Sequence, residues 1–225
     1  EPSGKIANYL SATLSLGDSA TLVCEWPISN RVRQPVEISG HNENGQEDSF
    51  LLRGRIDRVD EINVEGQADG QRLIIIRDMK TVNGPKLNQR GQRHRKAIFD
   101  ELQLALYAKA WEAANPNDRV VGVGITEVGD DTEYYVEMDP EYIDSVQHMS
   151  IGKITTYTSM TYRDIDEKTG GSSNGFRAWL DERARTALRV IGGAKAGHVN
   201  PTVSDDCKYC TVRRLCPSAK LGGKL

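Results

Sequence analysis

No stretch of this 225-residue chain approaches the roughly 20 consecutive apolar residues that cross a bilayer, so nothing in it reads as a membrane span. Nothing in these residues reads as a secretory leader, and the first residue is Glu1 rather than Met, so the chain reads as a piece of something longer. Only four cysteines are present, and without a secretory context they do not read as a disulfide framework. There is no internal repeat and no low-complexity tract. Neither sign of charge dominates, since 29 Lys and Arg against 32 Asp and Glu give a net charge of −3. Such a balance does not announce a nucleic-acid binder. It does not exclude one either, because a metal-dependent nuclease needs only a local basic path and its own carboxylates lower the total. What is present is an ordinary globular composition, 38% hydrophobic and 27% charged, with enough length to bury a core.

Periodicity predicts a short helix over residues 4–14, strands over 21–26, 35–38 and 50–59, and a buried strand over 73–80. A polar turn occupies residues 41–48. The strongest helix signal runs from Phe99 to Ala114, with Leu102, Ala105, Leu106 and Trp111 as its apolar stripe, and Asn115-Pro116 ends it. A hairpin is expected from 120–128 and 133–138, a helix from Asp139-Pro140 towards Tyr157, and a last helix over 176–194. Strands, a helix, and then more strands and helices predict an α/β fold with a mixed sheet.

The chemistry gathers around Gly54-Arg55-Ile56-Asp57-Arg58-Val59-Asp60 and Asp78-Met79-Lys80-Thr81. Residues two apart in a strand share a face, so Asp78 and Lys80 project together at the end of the run Leu73-Ile74-Ile75-Ile76. Two carboxylates suit a hard cation such as Mg2+, and a nearby lysine can orient an attacking water and stabilise developing negative charge. A bare Asp-x-Lys is also what a surface salt bridge looks like, but this one emerges from an apolar run. Gln103 and Tyr107 lie four apart on the strong helix, hence on one face. An amide among leucines is costly to bury without a partner. Gln103 is therefore either a surface or capping residue, or a ligand of substrate backbone or metal-bound water.

Gly54-Arg55-Ile56-Asp57-Arg58-Val59-Asp60, Ile76-Arg77-Asp78-Met79-Lys80-Thr81 and Gln103-Leu104-Ala105-Leu106-Tyr107-Ala108 resemble, in order and spacing, the successive motifs of RecB-like nucleases of the PD-(D/E)xK superfamily. The resemblance covers about residues 22–217. It implies a restriction-endonuclease-like mixed central sheet flanked by helices. It implies that Asp57, Asp78 and the main-chain carbonyl of Met79 hold Mg2+ or Mn2+, that Lys80 is the catalytic lysine, and that Gln103 and Tyr107 complete the site. The implied activity is a metal-dependent deoxyribonuclease, exonuclease rather than endonuclease, acting on single-stranded DNA or DNA ends. It would work beside a helicase motor in repair or recombination, in the cytoplasm at the nucleoid. The rivals are an inactive nuclease-fold DNA-binding or scaffold domain and a stand-alone exonuclease of the CRISPR-adaptation type. Two features depart from the family pattern. Its upstream metal-binding His has no counterpart, since His41 lies in a polar turn only sixteen residues before Asp57. Glu25, in Val23-Cys24-Glu25-Trp26-Pro27, matches a family strand but is expected to serve structure.

Cys207-x2-Cys210-x5-Cys216-Pro217 is a second signal. Thiolates at this spacing can grip one metal centre from adjacent turns, although unligated thiols and a zinc knuckle fit the same pattern. The spacing resembles the 4Fe-4S staple of AddB-type nuclease domains, whose fourth cysteine comes from far upstream. Cys24 is the remaining cysteine and is expected to be a buried strand residue rather than that ligand. The expected division is a nuclease domain over residues 1–200 and a cysteine-rich staple over 201–225. Lys86, Arg90, Arg93, His94, Arg95 and Lys96 form a basic segment between Lys80 and the Gln103 helix. It reads as either a solvated loop or a set of phosphate contacts, and it carries no aromatic stacking pattern.

Overall fold

The structure is a computed structural model that describes residues 4–29, 34–42, 44–81, 98, 101–130, 132–155, 175–198, 207 and 210–216. Chain order is α1 (Lys5–Leu14), β1 (Ser19–Pro27), β2 (Val36–His41), β3 (Glu47–Leu52), β4 (Arg55–Ile62), β5 (Arg72–Thr81), α2 (Gln103–Ala114), β6 (Asp118–Val128) and β7 (Glu133–Met138). A 3-10 turn (Pro140–Tyr142), α3 (Ile143–Val146), β8 (Lys153–Thr155) and α4 (Gly175–Lys195) follow. The chain divides into two compact units, residues 1–188 and 189–225. Among the described residues no helix is long and apolar enough to cross a membrane.

Six strands form one mixed sheet in the order β1-β4-β5-β6-β7-β8, and β2 pairs with β3 in a separate two-stranded sheet. The β5–β6 and β7–β8 pairs are parallel; the others are antiparallel. A parallel neighbour requires a crossover, and α2 lies on the one that joins β5 to β6. The α/β architecture with a mixed central sheet and flanking helices is the one the motifs led us to expect.

Strand β5 is buried from Leu73 to Asp78 because both of its faces are covered. On one face Leu73 and Ile75 join Ile62, Val136, Met138 and Ile151 in a closed apolar cluster. Ile74 and Ile76 point to the other face, where α2 packs on β5 and β6. Full burial of each large aliphatic side chain stabilises the fold by about 1.5–3 kcal/mol. The continuous run, with no polar alternation, is the pattern of a two-sided central strand. Farther along the chain, α4 buries Phe176, Trp179, Leu180 and Leu188, and Arg177 forks onto Glu112 of α2 at 2.9 and 2.7 Å.

Four sequence expectations change. The single strand over residues 50–59 is two strands in different sheets, β3 and β4. The chain breaks at Gly54, whose carbonyl accepts from Ile28 N at 3.0 Å and where a Cβ would come within 3.2 Å of Ile28 Cδ1. The long helix expected after Asp139 stops after α3. Gly152, at φ +112° against the Tyr134 backbone, turns the chain into β8 instead. The buried face of α2 keeps Ala105 and Trp111 of the predicted stripe but adds Leu104, Ala108 and Ala110, while Leu102 and Leu106 are only partly buried; the helix packs against β2 as well as β5 and β6. Residues 99–100, where that helix was expected to begin, lie outside the described residues. Finally, Cys24 is exposed on β1, which is an edge strand.

Candidate active site

Strands β4 and β5 pair as far as Arg58 opposite Arg77. At the next step the Asp57 side chain, rather than a strand carbonyl, accepts the Met79 amide, with Oδ2 at 2.8 Å. The ladder therefore opens where the two acidic residues stand. Alternation puts Asp57 and Asp78 on the same face, and the Asp57 carboxyl lies within hydrogen-bonding reach of the Asp78 carboxyl. The Lys80 ammonium donates to Asp78 Oδ2 at 2.8 Å, and Gln103 Nε2 donates to Asp78 Oδ1 at 2.7 Å. One helical turn on, Gln103 Nε2 also donates to the Tyr107 hydroxyl at 3.3 Å. A Cβ on Gly54 would stand 3.8 Å from that hydroxyl, an ordinary contact distance, so the motif glycine lies beside the tyrosine. The five residues form one connected constellation, delivered by β4, β5 and α2.

The Asp78 side chain is only 7% exposed, whereas Lys80 is 41% exposed. Burial pushes the Asp78 carboxyl above the usual carboxylate range, the Asp57 charge adds to that, and Lys80 opposes it. Burial also works to lower the Lys80 pKa, but the hydrogen bond and charge of Asp78, helped by Glu101 and Asp57, override it, and the ammonium is held above its ordinary value. Two neighbouring carboxylates, one of them buried, outnumber the single lysine beside them and so favour a further cation. The donor set therefore fits a divalent cation that takes one or two carboxylates and keeps several waters, with the Met79 carbonyl at the same strand end.

Other predicted residues lie elsewhere. Glu25 pairs with Arg55 at 2.6 Å, both side chains more than half exposed, in line with the structural role expected of it. Glu25 also adopts φ 55°, uncommon for a residue with a side chain. His41 ends β2 opposite Glu47 and lines a polar cleft of about 800 Å³ with Lys109 and Asp181. Lys86, Arg90, Arg93, His94, Arg95 and Lys96 lie outside the described residues. In the second unit, Cys210 N donates to the Cys207 carbonyl at 3.2 Å and Cys216 N to the Val212 carbonyl at 3.1 Å, which makes two successive turns. Among the described residues no group of three or more His, Cys, Asp or Glu side chains is placed to hold a metal. Glu101, which carries no motif signature, also acts on Lys80 through its charge. Its place two residues before Gln103 was the available signal.

On the opposite face of the same strands lies a second ionic group. Asp60 accepts from Arg58 Nε through Oδ1 and from Arg77 Nε through Oδ2, both at 2.6 Å. Arg58 and Arg77 sit 5.6 and 5.2 Å from the Tyr134 ring centre. Burial lowers the Arg77 pKa against the pull of Asp60. For Arg58 burial acts in the same sense, but Asp60 and Tyr9 outweigh it and raise the value.

No curated protein matches the chain significantly. Against known families, residues 9–217 match the PD-(D/E)XK nuclease superfamily. Members of that superfamily are nucleases and typically use divalent metals, the chemistry that the Asp57–Asp78 pair can accommodate. The match spans most of the chain, and the protein belongs to the PD-(D/E)XK nuclease superfamily.

Proposed function

We propose that this chain is a divalent-metal-dependent deoxyribonuclease of the RecB-like branch, with Asp57, Asp78, Lys80, Gln103 and Tyr107 as its working residues. The observation that carries the reading is the buried Asp78 carboxylate, shared between the Lys80 ammonium and the Gln103 amide beside Asp57. Asp57, Asp78 and the Met79 carbonyl would hold Mg2+ or Mn2+. When bound, such a cation polarises a phosphoryl oxygen and lowers the pKa of a coordinated water. Lys80, beside the carboxylate pair and partly open to solvent, donates to the attacking water or to the scissile phosphate. Gln103 keeps the Asp78 carboxylate oriented, and Tyr107 keeps Gln103 in place. DNA, as single strands or ends, is the substrate class, and the basic segment from Lys86 to Lys96 is the proposed phosphate contact.

The decisive assay is degradation of end-labelled linear and single-stranded DNA with Mg2+ or Mn2+, with EDTA and Lys80→Ala as controls. Metal-dependent cleavage that disappears in the variant is expected. Equal cleavage by Lys80→Ala removes the lysine from the mechanism, and cleavage of a closed circle identifies endonuclease action instead of the proposed exonuclease. Partnership with a helicase motor and a nucleoid location belong to the same proposal and rest on motif order alone. The Cys207-x2-Cys210-x5-Cys216 spacing supports a 4Fe-4S centre, while the described geometry does not gather those thiols. Iron analysis of anaerobically purified protein, with Cys210→Ser as control, decides between them; stoichiometric zinc eliminates the cluster.

A further inference from the structure

The apolar run of β5 does not by itself say where β5 aligns against β4. Leu73, Ile74, Ile75 and Ile76 are all buried, on both faces. A one-residue slip would exchange isoleucine for isoleucine and leave apolar burial nearly unchanged. In a sheet the same slip sends every side chain to the opposite face. Asp78 would leave the face it shares with Asp57.

A polar device opposes the slip. Arg58 stands directly across from Arg77, and like charges in that relation repel. Asp60 compensates both, one carboxylate oxygen to each Nε at 2.6 Å, with all three side chains 2% exposed or less. Arg77 Nη2 donates to the Ile151 carbonyl at 2.7 Å, and Arg58 Nη1 to the hydroxyls of Tyr9 and Tyr134 at 3.3 Å. Misalignment would strand buried charges in an apolar interior, which is penalised far more heavily than a shuffled aliphatic contact. Each arginine is also the chain neighbour of a site carboxylate: Arg58 follows Asp57 and Arg77 precedes Asp78.

We infer that Arg58, Asp60 and Arg77 are positioning residues: their buried ion cluster fixes the β4–β5 register and thereby keeps the Asp57 and Asp78 carboxylates together on the opposite face. The inference rests on the reading of that pair as a cation site. Its contribution is alignment more than stability, because apolar replacement of a buried ion network commonly leaves stability unchanged or higher. The two roles can therefore be separated by experiment.

The test uses the full chain and two variants. The triple substitution R58M/D60V/R77M keeps the summed side-chain volume close to the original and removes all charge, while Arg77→Lys keeps the charge but loses the guanidinium fork. Two quantities are read: Mn2+ affinity by titration followed by electron paramagnetic resonance, and cross-strand nuclear Overhauser contacts between the register partners Val59 and Ile76. Both variants are expected to weaken Mn2+ binding, the triple variant by about tenfold or more, as loss of groups that orient metal ligands does. A second set of contacts from a slipped register should accompany the native set. Wild-type Mn2+ affinity together with a single native set of contacts in the variants overturns the inference. Should the triple variant not fold, Arg77→Lys decides by the same two readouts. Absence of Mn2+ binding in the unmodified protein would sink the metal-site reading instead, and the register contacts would still decide the role of the cluster.

Discussion

The two faces of the β4–β5 pair differ in how their charges are satisfied. On the face of Asp57 and Asp78 two acids stand together, one buried, with a half-open lysine and an amide as partners. On the other face a single acid is held between two arginines with bonds of 2.6 Å and almost no exposure. The first arrangement has an excess of negative charge and an opening; the second is closed and has its acid doubly compensated. Adjacent residues in sequence, Asp57 with Arg58 and Arg77 with Asp78, serve the two faces. Strand alternation alone separates a site built to receive a cation from a cluster built to need none.

Several perturbations would break or sharpen this contrast. The largest effect is expected on the closed face, where Arg77→Ala leaves a cavity in the interior and takes the donor from Asp60 Oδ2 and the Ile151 carbonyl, and should cost about 2–5 kcal/mol. Urea unfolding measures it, and a loss below about 1 kcal/mol would mean that water reaches the cluster. On the open face Lys80→Ala should lower the cleavage rate by about 10²–10³, equivalent to about 2.7–4 kcal/mol of barrier, while stability falls by no more than about 1 kcal/mol because the ammonium is partly exposed. A parallel drop in stability would assign the lysine to the fold. Asp78→Asn should go the other way from Arg77→Ala. It removes a buried charge repelled by Asp57, so the metal-free protein should gain about 1 kcal/mol in stability while losing cleavage. Mn2+ should raise the melting temperature of the unmodified protein and not of this variant. The smallest effect belongs to the exposed Arg55–Glu25 pair, where Arg55→Ala should stay within about 0.5 kcal/mol of the parent by the same urea assay.

Much of the site was legible because it follows strand and helix periods. Asp78 and Lys80 share a face by the period of two, and Gln103 and Tyr107 share one by the spacing of four; the structure connects all four by hydrogen bonds. The closed cluster was invisible for the opposite reason. Arg58, Asp60 and Arg77 are charged residues on a fully buried face, and composition assigns charge to solvent unless its partners are known. The break at Gly54 was missed because residues 50–59 are strand-like on either side of it, and only the contact with Ile28 shows that the chain changes sheet there. The overlong helix after Asp139 was a failure of range: Asp139 does cap a turn through Glu141 N, but the helix ends at Val146 and Gly152 then turns the chain into β8. Cys24 looked like a core cysteine because free cysteines are usually buried, and its place on an edge strand reverses that.

The strand connections carry a consequence for how the site assembles. Strands β4 and β5 are joined through residues 63–71, whereas β5 meets its parallel neighbour β6 only after residues 82–117 have crossed over. Closing the shorter loop costs less chain entropy, and contacts of low sequence separation form first as a rule. Loop-closure entropy alone therefore favours pairing of the Asp57 and Asp78 strands ahead of the crossover that brings in Gln103. On that order the two carboxylates would be paired, and open to a cation, before the amide that steadies one of them is in place.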